Sequence, residues 1–241
     1  MTLLREYIRH LLVEVADRPK VIFMAGAPGS GKSTVIKKLG LATRLKVINP
    51  DDQYETDMRA EGIPMDRAKL LDQYGPIKAQ YLVAQEAGDE EAIAELEPEY
   101  LELRGILSRN MKLFNQARKA AKEEQEGLIS AGGEFLVDGT GGNYHEIAKQ
   151  VDKLEGIGYD TAMIFIGVPV ETSMERNRAR GERGGRRLTD STVKRSWNAV
   201  TENSPKYEKL FGEDFFYVEN SGEDFELSID DIAAGVARFL A

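Results

Sequence analysis

Residues Val21 to Leu39, VIFMAGAPGSGKSTVIKKL, constrain this chain more than any other stretch. A short apolar run passes into three glycines, a lysine and two hydroxyl residues, after which helical spacing resumes. The segment Gly26-Ala27-Pro28-Gly29-Ser30-Gly31-Lys32-Ser33 fits the pattern G-x-x-x-x-G-K-[ST], in the strand-to-helix setting that the pattern requires. Glycines let successive backbone N–H groups turn inward and approach phosphate oxygens with no Cβ in the way. A helix starting near Lys32 adds its positive end at the same point. Lys32 is expected to reach the β- and γ-phosphates and the Ser33 hydroxyl to ligate Mg2+. Residues 26–33, with Thr34, are thus the expected cradle for a nucleoside triphosphate, with ATP the expected ligand.

Around this turn the chain alternates. Short apolar strands are expected at Val21–Ala25, Leu45–Ile48, Glu134–Val137, Thr161–Ile166 and Phe215–Val218, as for parallel strands covered on both faces. Helical patterns separate most of them, which implies an α/β fold: a doubly wound, mostly parallel sheet of the P-loop NTPase type. Leu3, Leu4, Ile8, Leu11, Leu12 and Val15 share one helical face, and Pro19 ends that helix. The stretch 55–130 holds no convincing strand and reads as a helical insertion within one domain spanning 1–241, with a break or bend near Pro98. Between Lys78 and Arg104 lie eight acids and no base, the mark of a solvated helical face.

Composition closes several doors. There is no cysteine, which excludes disulfides, thiolate metal sites and cysteine nucleophiles. A net charge of −9 argues against indiscriminate coating of nucleic acid, though not against a local basic groove. No apolar run approaches the roughly 20 residues needed to span a bilayer. No membrane partner is expected, and a cytoplasmic location is the default. His10 and His145 show no metal-ligand spacing and receive no role.

Phosphoryl transfer needs a carboxylate to take the acceptor's proton, cations to steady the moving group, and a cover against water. Asp51 and Asp52 in LKVINPDDQYE stand just past the second strand, at the edge where open α/β sheets bind ligands. Asp51 is the candidate base, and Asp52 a helix cap or support. Asp138 ends the third strand in EFLVDGTGGNY and is the candidate to face Mg2+ or its waters. The cations come from ERNRARGERGGRRL: Arg176, Arg178, Arg180, Arg183, Arg186 and Arg187, interleaved with glycines. Arginine is always charged, and its fork matches phosphate oxygens. The glycines imply a mobile lid over about 176–190. Arg180 and one of Arg186 or Arg187 are the expected working cations.

In their order, GAPGSGKST, INPDD, VDGTGGN, VPVETSMERNRARG and VENSG resemble two related P-loop kinase families: the zeta toxins and the 5′-kinase domain of phage polynucleotide kinases. The resemblance covers roughly half the chain. It implies that Asp51 rather than Asp52 is the catalytic base. It also implies that Arg176 and Arg180 match arginines of a lid helix, and that the Asn220 region lies beside the adenine. Both families carry a basic residue three positions after the base, where this chain has Tyr54. The insertion matches neither, so the acceptor is not carried over.

Three readings follow. The first is an ATP-dependent transfer of the γ-phosphoryl group to a hydroxyl of a nucleic acid or nucleotide, either a 5′ end or a hydroxymethylated base in DNA. A UDP-sugar acceptor, as in zeta toxins, is its variant. A base acceptor in duplex DNA would have to leave the stack, and Tyr54, Tyr74, Tyr81, Tyr144 and Trp197 are the aromatics that could receive it. The second is a nucleotide-dependent switch ATPase whose insertion binds a protein partner. The third is a toxin-like protein neutralised by an antitoxin, with the same kinase chemistry.

Overall fold

The chain is described by a computed structural model covering residues 18–222 and 224–241, without the side chain of Asp224. The helix expected over Leu3–Val15 lies outside the described residues.

Five strands form one sheet: β1 (Lys20–Ala25), β2 (Lys46–Ile48), β3 (Phe135–Asp138), β4 (Asp160–Gly167) and β5 (Phe215–Glu219). Their order is β2-β3-β1-β4-β5, and every pairing is parallel. The fold is a parallel five-strand P-loop kinase-like α/β fold, and each expected strand is present to within a residue or so at its ends.

Alternation along the strands sends side chains to two cores, because successive residues face opposite ways. Ile22 and Met24 of β1 face one side with Ala162, Ile164 and Ile166 of β4. Helices α1 (Lys32–Lys38) and α8 (Asp224–Phe239) cover that face through Val35, Ile36, Ile229, Ile232 and Val236. Val21, Phe23 and Ala25 face the other way with Phe135, Met163 and Phe165. Helices α5 (Tyr144–Gly156) and α7 (Asp190–Phe211) cover them through Val151, Leu154, Val200, Tyr207 and Phe211. Burial on both faces is why these strands read as unbroken apolar runs.

Between β2 and β3 come α2 (Pro50–Ala60), α3 (Arg67–Ala87) and α4 (Glu90–Ser130). Asp66 and Asp89 cap α3 and α4 by accepting from Lys69 N and Ala92 N at 2.9 and 3.0 Å. The 41 residues of α4 span about 60 Å at 1.5 Å per residue. Of the break or bend expected near Pro98, no break occurs, since α4 runs through it. Tyr100, two residues on, stacks on Tyr81 and Tyr74 of α3 at 4.3 and 5.9 Å, which holds the helix across the gap in its hydrogen-bond ladder. All eight acids between Lys78 and Arg104 are exposed.

A third core ties α4 to α2. Tyr54, Met58 and Ile63 pack with Leu113 and Ala117, and Tyr54 meets Phe114 edge-on at 5.4 Å. The buried Tyr54 hydroxyl donates to Asn110 Oδ1 at 2.7 Å. The helix bearing Asp51 therefore rests on the insertion.

The turn after β3 sits against β1. Gly141 has φ +76°, and a Cβ there would stand 2.6 Å from Ala25 Cβ. Its carbonyl accepts from Tyr207 Oη at 2.7 Å and Asn203 Nδ2 at 3.3 Å. Gly141→Ala should cost about 2 kcal/mol or more, through the left-handed backbone and the overlap together. Urea unfolding followed by circular dichroism measures it, and an unchanged midpoint would contradict this packing.

Candidate active site

Every parallel strand ends at the same edge, and the candidate residues follow those ends, where an open α/β sheet places its ligands. The glycine turn follows β1, Asn49 to Asp52 follow β2, Asp138 closes β3, helix α6 (Val170–Glu182) follows β4, and Asn220 follows β5.

The turn is shaped from outside. Three successive carbonyls are taken by neighbours: Pro28 O by Ser173 Oγ at 2.5 Å, Gly29 O by Arg176 at 3.4 Å, and Ser30 O by Asn220 Nδ2 at 2.5 Å. Gly29 and Gly31 adopt φ +83° and +93°, open to glycine at no cost. With its carbonyls drawn outward, the backbone presents the N–H groups of Gly29, Gly31, Lys32 and Ser33 to the hollow, where no described residue accepts from them. A phosphate chain fits such a nest.

Lys32 leans across the hollow and donates to Gly26 O at 3.0 Å. Burial lowers its pKa, while the carboxylates of Asp138 and Asp51 raise it and the guanidiniums of Arg186 and Arg180 lower it. Asp51, Asp138, Arg180 and Arg186 are thus the charged groups felt by the Lys32 ammonium.

Local chemistry explains where Asp51 stands. Asn49 caps α2 by accepting from Asp51 N at 2.9 Å, and Pro50 occupies the first helical position, where its missing N–H costs nothing. Asp51 and Asp52 then fall in the first turn, where the helix dipole favours acids. The other face of Asn49 donates to Asp138 Oδ2 at 3.1 Å, so one side chain holds both candidate acids. Burial raises the pKa of Asp52, with Glu55 and Asp51 adding to it and Arg180 opposing.

Asp138 carries a specific deficit. Its Oδ1 is buried and has no hydrogen-bond partner among the described residues. Burial raises its pKa, Lys32 lowers it, and Asp51 and Asp52 raise it further. Such a carboxylate suits a cation or its waters. Ser33, on the first turn of α1 beside the glycine turn, is exposed. The described residues hold no group of three His, Cys, Asp or Glu side chains able to cage a metal. Mg2+ would need phosphate oxygens and water for its remaining ligands, which is the usual habit of that ion.

The arginines divide. Arg178 pairs with Asp190 and Arg183 donates to Ala179 O at 3.1 Å, both at the surface. Arg176, expected among the lid cations, stands instead on Gly29 O and on the backbone and side-chain oxygens of Asn220. Asn220 is buried, with its amide committed to Ser30 O, so here it braces the turn. Arg187 pairs with Asp66 at 3.5 Å. Arg180 pairs with Glu55, and Arg186, expected at the nucleotide, pairs with Asp51.

Of the three glycines in this segment, Gly181 and Gly185 serve close packing, while Gly184 has a φ of +77° and open space around it. A Cβ at Gly181 would meet Arg187 at 2.8 Å, and one at Gly185 would meet Arg180 Cγ at 2.8 Å. Asn177 closes the loop by pairing with both backbone groups of Leu188, at 2.8 and 3.0 Å. Arg187 N and O bond to Met65 O and Arg67 N at 3.2 and 3.1 Å, which fastens the loop to the start of the insertion. The five aromatics considered for base stacking are engaged. Tyr54, Tyr74 and Tyr81 pack as above, Tyr144 lies 5.5 Å from Tyr207, and Trp197 Nε1 donates to Val168 O at 2.7 Å.

Sequence reasoning missed Asn49, Glu55, Ser173, Asn177, Asn203 and Tyr207. Glu55 lies one turn after Asp51, and Ser173, Arg176 and Arg180 follow the i, i+3, i+7 spacing of one helix face, so those signals were present. Asn-Pro before a helix is likewise a cap signature. For Asn203 and Tyr207 no local pattern exists.

The carboxylate deficit makes a measurable statement. A folded pKa above the unfolded value of about 3.9 stabilises the protein only below that value. The contribution is lost as pH rises through the raised folded value, so at neutral pH ionised Asp138 opposes folding. Asp138→Asn should therefore raise the melting temperature at pH 7 by a few degrees, with the gain shrinking toward pH 4. A melting temperature that falls at pH 7 would contradict it.

The AAA domain family model (AAA_33) matches residues 21–202. No curated protein matches the chain in sequence. Among solved structures, a protein provisionally assigned as a kinase from Chloroflexus aurantiacus has a TM-score of 0.59 at 13% identity, covering 93% of this chain and 100% of that one. A structure from the PezAT toxin-antitoxin system of Streptococcus pneumoniae has a TM-score of 0.52 at 16% identity, covering 98% of this chain and 94% of that one. Part of the Pnkp1/Rnl/Hen1 RNA repair complex reaches 0.48 at 18% identity, covering 79% of this chain and 46% of that one, too slight a likeness to carry weight. At these identities the likenesses speak to the fold. The family match extends over most of the chain, from β1 into α7, and the protein belongs to the AAA domain family, with a P-loop kinase-like fold.

Proposed function

We propose that the protein is an ATP-dependent phosphotransferase that moves the γ-phosphoryl group to a hydroxyl of a nucleic acid or nucleotide. The observation that carries this reading is the placement of Asp51. It stands on the first turn of α2, its side chain 41% exposed, near enough to Lys32 for its charge to raise the pKa of that ammonium.

The residues divide the work as follows. The N–H groups of Gly29, Gly31, Lys32 and Ser33 and the Lys32 ammonium hold the phosphates. Mg2+, when bound with the nucleotide, would be held by Ser33 and Asp138 and would neutralise phosphate charge. Asp51 takes the proton of the acceptor hydroxyl as its oxygen bonds to the γ-phosphorus. The bond from that phosphorus to the β–γ bridging oxygen breaks, and ADP leaves. Arg180 and Arg186 supply the cations for the phosphoryl oxygens.

For the acceptor, the support is chemical. The arginine-bearing loop lies beside Asp51, so an acceptor carrying phosphate would meet cations there, whereas the exposed acids of α3 and α4 repel a polyanion elsewhere. The assignment to a nucleotide or a 5′-hydroxyl or hydroxymethylated base in DNA rests on this and on the resemblance above. A UDP-sugar is the variant that the zeta-toxin resemblance of the sequence motifs keeps in view.

Incubation with γ-labelled ATP and 5′-hydroxyl oligonucleotides, hydroxymethylpyrimidine DNA, nucleosides and UDP-sugars should label one class. Label only in free phosphate would support the switch reading instead. Asp51→Asn should keep ATP binding and lose transfer by about 10²–10⁴-fold, the range of general-base catalysis. Lys32→Ala should lose both. Normal transfer by Asp51→Asn would overturn the assignment of the base.

A further inference from the structure

Three guanidiniums converge on one carboxylate. Glu55 is buried at 9% exposure, one turn along α2 from Asp51. Its Oε1 accepts from Arg180 and lies 3.6 Å from Arg186 Nε, while its Oε2 accepts from Arg59 at 3.4 Å. Arg180 comes from the last turn of α6, Arg186 from the loop behind it, and Arg59 from the same helix.

Arg186 is held on three sides. Its Nε edge faces Glu55, its terminal nitrogen donates to Asp51, and its plane lies 5.5 Å from the Tyr54 ring. Only 14% of its side chain is exposed. The Asp51 oxygen that accepts from Arg186 is already occupied, so taking a proton there requires that terminal nitrogen to leave. Glu55 and Tyr54 need not release their hold when it does. The guanidinium can trade one carboxylate oxygen for a phosphate oxygen while its other edge and its face stay in place. Arg180, fixed to the same Oε1, arrives alongside.

We infer that Glu55 is a positioning residue: it holds Arg180 and Arg186 at the phosphate mouth so that Arg186 can exchange Asp51 for the γ-phosphate, which frees the base when nucleotide is present. The catalytic consequence rests on the transferase reading, whereas the clamp on the loop does not.

The test uses Glu55→Gln, which keeps size and burial but cannot fix two cations, with Glu55→Asp as the variant that keeps the charge. Trypsin cleaves after arginine, so the rate of nicking within 178–188 reports directly on the loop in the whole protein. In Glu55→Gln that rate should rise roughly tenfold, because nicking follows the population of the open loop, and Glu55→Asp should recover part of the difference. The kcat for transfer should fall about 10–100-fold with Kd for ATP within about threefold, as when a cation is misplaced rather than removed. Should Glu55→Gln fail to fold, Glu55→Asp alone decides: a shorter carboxylate that leaves both nicking and kcat at wild-type values overturns the role. Wild-type nicking and kcat in a folded Glu55→Gln overturn it equally. If no acceptor is ever labelled, the transferase reading fails on its own, and the nicking rates still decide whether Glu55 clamps the loop.

Discussion

The structure depends on where three carbonyl groups point. Pro28, Gly29 and Ser30 give theirs to Ser173, Arg176 and Asn220, which stand outside the turn on the elements after β4 and β5. A peptide unit whose carbonyl is drawn one way presents its N–H the other way, so the capture converts a flexible glycine loop into a directed set of donors. An isolated peptide of the same sequence has no reason to hold that shape. The phosphate nest is a property of the sheet edge, since the residues that impose it are carried by helix α6 and by the end of β5.

The acids at the mouth form the complementary half. Asn49 joins the start of α2 to the end of β3, and the charges of Asp51 and Asp138 both favour the ammonium form of Lys32. Around Lys32 the charges alternate: ammonium, two carboxylates, then the guanidiniums of Arg186 and Arg180. Without bound phosphate the arginines find their anions in Asp51 and Glu55. These charges compensate one another, while among the described residues the buried Oδ1 of Asp138, like Ser30 Oγ in the turn, lacks a partner. A cation accompanying the nucleotide would remove that deficit while its phosphates drew the arginines inward.

Much of this was legible in the sequence, and the division has physical causes. Strands buried on both faces announce themselves as apolar runs, and the glycine turn has a spacing that no other structure requires, so β1 to β5 and residues 26–33 were readable. The position of Asp51 at the sheet edge was readable because it follows the second strand directly. The partners of the arginines were not, because six arginines in twelve residues carry no label saying which acid each one meets. The glycines among them suggested slack, whereas Gly181 and Gly185 permit contact with Arg187 and Arg180. Pro98 suggested a break or bend in a helix that runs on through it, with Tyr100 stacked on Tyr81 just beyond.

The pairing of β2 with β3 has a consequence for how such a chain can vary. Val47 and Leu136 are neighbours across the sheet, although the whole of α2, α3 and α4 intervenes. The entropy of closing a loop grows only with the logarithm of its length, so lengthening or shortening the outer part of α3 and α4 changes that cost by little. What must be kept is the inner seat, where Leu113, Ala117 and Asn110 meet Tyr54 and Met58. The outer arm is therefore free to be remodelled by insertion or deletion in whole turns, with the reaction edge undisturbed.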